Sequence, residues 1–94
     1  MILLLTIDIM KPAEIEYSAL HATIKAQGIW WHYLRPTWLI STTKSVQEVA
    51  DAINPLLRGG KGRALIVELH RPYQGLLPKV AWDWIQKHLD DVKP

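Results

Sequence analysis

The apolar residues of this chain change their spacing several times, and the order of those changes restricts its fold more than any single motif does. Residues 1 to 9 form a short run rich in Ile and Leu that Lys11 and Pro12 bring to an end, which is typical of a buried strand. From Pro12 to Gln27 the apolar residues recur three and four positions apart, and Gly28 follows. This spacing predicts an amphipathic helix that stops at the glycine.

The segment GIWWHYLRPTWLI, residues 28 to 40, predicts a hairpin. Because proline cannot donate a hydrogen bond to a sheet ladder, the Arg-Pro pair at 35 and 36 divides the segment into two strands, at about 29 to 34 and 37 to 42. Ser45 and Glu48 then have the spacing of a capping box, which marks the start of a second helix.

The remaining signals complete the order of elements. The second helix has Pro55 near its end and closes at Gly59 and Gly60, a last strand is predicted at 63 to 70, and a third helix at about 77 to 90. This order predicts an α+β, ferredoxin-like βαββαβ fold, with a four-stranded antiparallel sheet in a core over 1 to 71 and an added C-terminal helix. Since 94 residues support one core, we expect a single domain over 1 to 94.

The composition favours a dimer more than it favours any one ligand. Hydrophobic residues make up 49% of the chain and charged residues only 21%, so a monomer would leave apolar surface exposed. The net charge of +2 is small, so nucleic-acid binding must depend on where the cations lie. The chain has no cysteine, which is compatible with a reducing cytoplasm, and no segment has the roughly eighteen apolar residues of a membrane span. We therefore expect a cytoplasmic protein with no membrane partner.

The order of strands predicts that one carboxylate lies among several cations. If the first and third strands run parallel, their exits share an edge of the sheet with the entries of the second and fourth. That edge would gather Asp8, Trp30 and Thr42 with the candidate nucleic-acid-binding residues, which are Lys11, Lys44, Arg58, Lys61 and Arg63. Asp8 is the candidate catalytic residue and the candidate ligand of a hard cation, Mg²⁺ or Mn²⁺.

Asp8 also has a simpler interpretation. One carboxylate cannot by itself hold a catalytic magnesium ion, and no second acid is predicted at this edge, so the metal site requires a two-fold dimer that brings a second Asp8 across its axis. The alternative is that Asp8 caps the following turn or pairs with Lys11 or Arg63. The glycines from 59 to 62 lack the spacing of a phosphate-binding motif, and the four histidines lack the spacing of a metal site.

The aromatic residues offer a choice between stacking bases and packing against protein. Along a strand Trp30 and Trp31 point to opposite faces, so one of them packs under the helices. The other would join His32 on the uncovered face, where bases, a second subunit or the C-terminal helix could lie over it. The interface candidates are Trp30, His32 and Trp38, together with Trp82 and Trp84 of the C-terminal helix, which are about 200° apart around it and so face different surfaces.

Three motifs resemble known proteins. ILLLTIDIMKP at the start, the run W-W-H-Y-L…T-W-L, and L-P-K-V-A-W-D-W-I near the end are similar, over nearly the whole chain, to the small proteins called SinR-like. The strand order and Asp8 are distantly similar to the CRISPR-associated endoribonucleases and virulence-associated protein D. This resemblance implies a ferredoxin-like homodimer and, as in some members of the wider group, metal-dependent cleavage of RNA or DNA by Asp8. Residues 36 to 39, Pro-Thr-Trp-Leu, depart from the Ser-Val-Phe-like sequence of the CRISPR-associated proteins.

Two functions of different classes follow from these observations. The first is a dimeric nucleic-acid-associated protein whose cleaving form would be a metal-dependent endonuclease or endoribonuclease. In that form Asp8 of each subunit positions the cation, the cation activates water, and Lys11, Lys61 and Arg63 stabilise the phosphate charge. The alternative is a non-catalytic protein-interaction module of a toxin–antitoxin or phage-defence system, which would use the aromatic sheet face and the C-terminal helix to bind its partner.

Overall fold

The structure is a computed structural model that describes residues 1 to 90, and it has the predicted α+β, ferredoxin-like architecture. Four strands form one antiparallel sheet in the order β2-β3-β1-β4. In the described range the elements are β1 (Ile2–Ile9), α1 (Tyr17–Lys25), β2 (Ile29–Leu34), β3 (Thr37–Ser41), α2 (Val46–Ile53), β4 (Gly62–Glu68) and the C-terminal helix α3 (Lys79–Asp90). No helix in this range is long and apolar enough to cross a membrane.

The directions of the strands differ from those expected. β1 lies between β3 and β4 and is antiparallel to both, with Thr6 opposite Thr37 and Asp8 opposite Arg63. β1 and β3 therefore do not run parallel. After the hairpin turn, β3 runs opposite to β2 and pairs with β1 in the same opposite direction. The exit of β1 shares its end of the sheet with the exit of β2 and the entries of β3 and β4. We call this end of the sheet the Asp8 end.

The first helix is shorter than its sequence pattern predicts. Pro12–Glu14 form a single 3-10 turn, and Ile15 is extended, with φ −90° and ψ 127°. Ile15 is also buried in the core, so the chain inserts this side chain before α1 begins at Tyr17. Gly28 follows the helix where a Cβ atom would overlap the carbonyl oxygen of Ser41, which explains why this position carries glycine.

The second helix begins as predicted. The Ser45 hydroxyl accepts a hydrogen bond from the Glu48 amide at 3.1 Å, and the Glu48 carboxylate accepts one from the Ser45 amide at 3.2 Å, so the capping box is present. The helix passes into a 3-10 turn at Asn54–Leu56, where proline removes a backbone donor. Gly59 and Gly60 then reverse the chain, with φ of +78° and +74°.

Helices lie on both faces of the sheet, and each face has its own apolar cluster. The larger cluster joins α1 and α2 to the sheet, and its buried members include Leu3, Leu5, Ile24, Trp38, Ile40, Val49 and Ile53. On the other face α3 packs its Ala81 and Ile85 against Ile2, Trp31 and Leu39. The C-terminal helix thus covers the second face near the start of β1, while Leu65 of β4 stays 59% exposed toward the Asp8 end.

Candidate nucleic-acid interface

Asp8 lies exposed at the end of β1, directly across the ladder from Arg63. Within the described residues its carboxylate forms neither a hydrogen bond nor an ion pair, although an arginine stands opposite. The simpler interpretation, in which Asp8 caps the next turn or pairs with Lys11 or Arg63, is therefore wrong. Asp8 is a surface carboxylate without a partner among residues 1 to 90.

Two turns meet beside Asp8, and together with the start of β4 they carry four of the predicted cations. The amides of Met10 and Lys11 both donate to the carbonyl oxygen of Lys61, at 2.8 and 3.0 Å, so the turn after β1 is tied to the turn before β4. A Cβ added to Gly60 would lie 3.8 Å from the Lys11 ammonium, which places that charge against the glycine turn. We call the set contributed by these two turns and the start of β4, which is Lys11, Arg58, Lys61 and Arg63, the basic corner.

Most of the charge of the basic corner is unpaired. The Lys11 ammonium lies 3.9 Å from the Glu14 carboxylate, and both side chains are about half exposed, with 50% and 55% of their surface accessible. In the described part of the chain Arg58, Lys61 and Arg63 form no ion pair. These three cations outnumber the Asp8 carboxylate beside them, so the corner keeps positive charge that can bind phosphate oxygens.

Lys44 lies elsewhere, and its predicted place at this edge is wrong. Its ammonium donates to the Gln27 side-chain oxygen at 3.0 Å, and its amide bonds to the Thr42 hydroxyl at 3.0 Å. The carbonyl oxygen of Thr42 accepts from the N-terminus of Met1 at 3.1 Å, so these residues lie at the start of β1. Trp30, near the entry of β2, is also at that end. The cause is the strand direction, since an antiparallel β3 leaves the sheet where β1 enters.

Arg35 is a cation that the corrected strand directions place at the Asp8 end. It belongs to the β2–β3 turn, which is fixed at the Asp8 end because the Ile7 amide donates to the Pro36 carbonyl oxygen at 2.9 Å. Pro36 borders a hollow of about 400 Å³ that contains Asp8 and Arg63. The correct strand directions, applied to the sequence, would have indicated Arg35.

The residues of one chain do not fit a divalent metal ion at Asp8. The surrounding hollow provides one carboxylate and one hydroxyl, that of Thr6, while Arg63 and apolar side chains form the rest of its lining. Within the described residues, no group of three or more His, Asp or Glu side chains is arranged to hold a metal. Mg²⁺ requires a nearly octahedral shell of oxygen ligands, so a second carboxylate or a bound phosphate would have to come from outside the chain.

The two strand tryptophans occupy the faces opposite to those expected. Trp31 lies under α3 in the cluster with Ile2, whereas Trp30 and His32 lie on the α1 side of the sheet. There they flank Trp38, which is only 5% exposed. The His32 ring stacks on the Trp38 indole with ring centroids 3.8 Å apart. The Trp30 ring meets the same indole edge-on, with ring centroids 5.6 Å apart. Trp38 is therefore a core residue covered by two outer rings.

The tryptophans of α3 are partly buried against their own domain. Trp82 stacks on Tyr73 with ring centroids 6.0 Å apart, and Trp84 packs beside His88 at 4.5 Å. Both tryptophans pack against the apolar cluster between α3 and the sheet, so each of them helps to anchor α3 to its own domain. Their contact with a partner stays a prediction.

Comparisons with known proteins give no relative for this chain: no protein-family model matches it, and no curated protein or solved structure is significantly similar to it. The resemblance to SinR-like proteins therefore stays a prediction.

Proposed function

We propose that this protein is a homodimer that binds nucleic acid through the basic corner. The observation that carries the proposal is the meeting of Lys11, Arg58, Lys61 and Arg63 beside the exit of β1, with the last three free of ion pairs among the described residues. Lys and Arg side chains that neutralise phosphates supply most of the affinity of proteins for nucleic acid. A small net charge is compatible with this role because the cations are concentrated at one site.

A second copy of the chain is the proposed occupant of the uncovered part of the sheet. Leu65 and Val67 are 59% and 41% exposed on the face that also carries Thr6 and Asp8. A two-fold axis beside these residues would bury the apolar side chains and bring the two Asp8 carboxylates toward each other. The cleaving form of the proposal, with Mg²⁺ or Mn²⁺ between the two carboxylates, is expected only of this dimer.

The first test is a binding titration over a range of salt concentrations with labelled single- and double-stranded RNA and DNA. The double variant Lys61→Ala/Arg63→Ala removes two cations of the basic corner, and Lys79→Ala/Lys87→Ala, on exposed positions of α3, is the control with the same change of charge. Loss of two phosphate contacts should reduce the slope of log K against log salt by about 1.4 for single strands and about 1.8 for duplexes. Equal slopes for the two double variants would refute the basic corner as the binding site.

The second test separates binding, cleavage and dimer formation. Each labelled RNA and DNA is incubated with the protein and with magnesium, manganese or chelator. Cleavage that needs the metal and is lost in Asp8→Asn would establish that the protein is a nuclease. Leu65→Glu should convert the dimer to a monomer in analytical ultracentrifugation, because it places a charge in the proposed interface. A wild-type monomer would refute the dimer, and no binding of any nucleic acid at low salt would favour the protein-interaction module instead.

A further inference from the structure

A row of cations and aromatic rings lies along the α1 side of β2. The Lys25 ammonium lies 4.8 Å from the centroid of the Trp30 ring, Trp30 meets Trp38 edge-on, and His32 stacks on the same indole with an interplanar angle of 12°. Arg35 follows at the end of the strand. We call the exposed members of this row, Lys25, Trp30, His32 and Arg35, the β2 track. β2 is an edge strand of the sheet in the described part of the chain, so it is paired with β3 on one side only.

His32 is held in place as a platform. One face of its ring lies on Trp38, and its Nε2 atom is 2.7 Å from the carbonyl oxygen of Arg35. The side chain is nevertheless exposed, so the outer face of the ring is open to a ligand. Two contacts thus fix the orientation of an exposed aromatic ring before any ligand binds, which reduces the entropy lost on stacking.

Three polar side chains lie beside this platform, in a hollow whose remaining lining is mostly apolar. Tyr17, His21 and Arg35 line a hollow of about 150 Å³ between α1 and the β2–β3 hairpin, and His32 forms part of its wall. The ring nitrogens of His21 have no hydrogen-bond partner within the described residues. Pro36 borders this hollow and also the hollow that contains Asp8, so the two lie on either side of one turn.

We propose that the β2 track binds single-stranded nucleic acid, with a base stacked on the outer face of His32 and the adjacent phosphate held by Arg35. The inference rests on the proposed function and adds that the bound nucleic acid is single-stranded. Bases of a duplex have both faces occupied by their neighbours, whereas an unpaired base can stack on an aromatic side chain, and cations beside the ring hold the backbone. A nucleic-acid strand that crosses Pro36 would run from the β2 track to the basic corner.

The test uses the intact protein and a short single strand that contains 2-aminopurine, a base whose fluorescence reports stacking. His32→Ala should weaken binding about fivefold or more and abolish the change in fluorescence, because an exposed stacked base loses its partner. His32→Phe keeps an aromatic ring and should bind within about twofold of the wild type. Tyr33→Ala is the matched control, since Tyr33 is an exposed neighbour whose ring packs against Trp31, on the opposite face.

Arg35→Gln provides a second variant in case His32→Ala disturbs the fold, because it leaves the His32 ring in place over Trp38. It should also weaken binding of the single strand about fivefold, with an unchanged unfolding midpoint. If His32→Ala, with its fold intact by circular dichroism, and Arg35→Gln both bind as tightly as Tyr33→Ala, the β2 track is refuted. Equal affinity of the wild type for a duplex and a single strand would overturn it too.

Failure of the β2 track is distinguishable from failure of the proposed function. If Lys61→Ala/Arg63→Ala weakens binding while the His32 and Arg35 variants do not, the basic corner binds nucleic acid and the track does not. If the wild type binds no oligonucleotide at low salt, both proposals fall.

Discussion

Gly28, between α1 and β2, should be the glycine that tolerates substitution least. A Cβ atom there would overlap the carbonyl oxygen of Ser41 and lie 3.1 Å from Cβ of Thr42. Ser41 cannot retreat, because it stands opposite Ile2 of β1 and Ile29 of β2, and a shift would disturb both ladders. Overpacking costs about 1–3 kcal/mol and the loss of one ladder hydrogen bond about 1 kcal/mol, so we expect Gly28→Ala to lower the free energy of unfolding by about 3 kcal/mol.

Two other glycines provide graded controls for this prediction. Gly59 has φ of +78° and open space around its Cα, so Gly59→Ala should cost only the backbone strain, about 1–2 kcal/mol. Gly75 does not have a positive φ, and a Cβ atom there would lie 3.7 Å from the Trp82 ring, an ordinary contact. Gly75→Ala should therefore be neutral or should stabilise the fold by up to about 1 kcal/mol, since alanine restricts the unfolded chain.

Urea unfolding of the three variants measures these differences. With an m-value of about 1.5 kcal/mol/M, a loss of about 3 kcal/mol lowers the unfolding midpoint by about 2 M. The expected order of midpoints is Gly75→Ala above Gly59→Ala above Gly28→Ala. A Gly28→Ala midpoint equal to that of Gly75→Ala would refute the close approach of Gly28 to Ser41.

Three further substitutions have defined outcomes. Ser45→Ala removes the hydroxyl that accepts from the Glu48 amide and should cost about 1 kcal/mol in urea unfolding; an unchanged midpoint would contradict the cap. The Asp83 carboxylate accepts a hydrogen bond from Lys79 and raises the pKa of that ammonium, so its stabilisation is present below the unfolded-state pKa of Lys79 and is lost as pH rises through the folded-state pKa. Asp83→Asn should lower the Lys79 pKa, and an NMR titration that finds it unchanged would contradict the pair. Asp8→Asn should leave the unfolding midpoint unchanged, because Asp8 has no partner within the described residues, and should leave nucleic-acid binding equal or tighter; weaker binding would contradict a site that acts through cations alone.

Local signals in the sequence predicted most of the secondary structure. The break at Pro36 separates two strands whose observed bounds, Ile29–Leu34 and Thr37–Ser41, agree with those expected to within one residue. The capping box at Ser45 was also confirmed. The helix start predicted at Pro12 was wrong, because the apolar spacing after it is helical while Ile15 is buried in the core in an extended conformation. Packing in the core decides where α1 begins, and the spacing of apolar residues along the chain does not report that packing.

The candidate site was predicted only in part. Lys61 was placed correctly beside Asp8, since the entry of β4 lies there whichever way β3 runs. Lys44 was misplaced and Arg35 missed, because their positions depend on the direction of β3 relative to β1. His21 comes from a different element than His32, so no spacing along the chain could have joined them at one hollow.

The sequence by itself determined the order of elements and the fact that Trp30 and Trp31 point to opposite faces of the sheet, because helix and strand periods follow from local backbone geometry. Only the tertiary structure decided which of the two tryptophans is buried. α3 packs on the face of Trp31 and Ile2, whereas Trp30 and His32 remain at the rim beside α1. Both faces of this sheet are apolar, so the alternation of side chains is compatible with either assignment, and the choice depends on which helices the connections bring to each face.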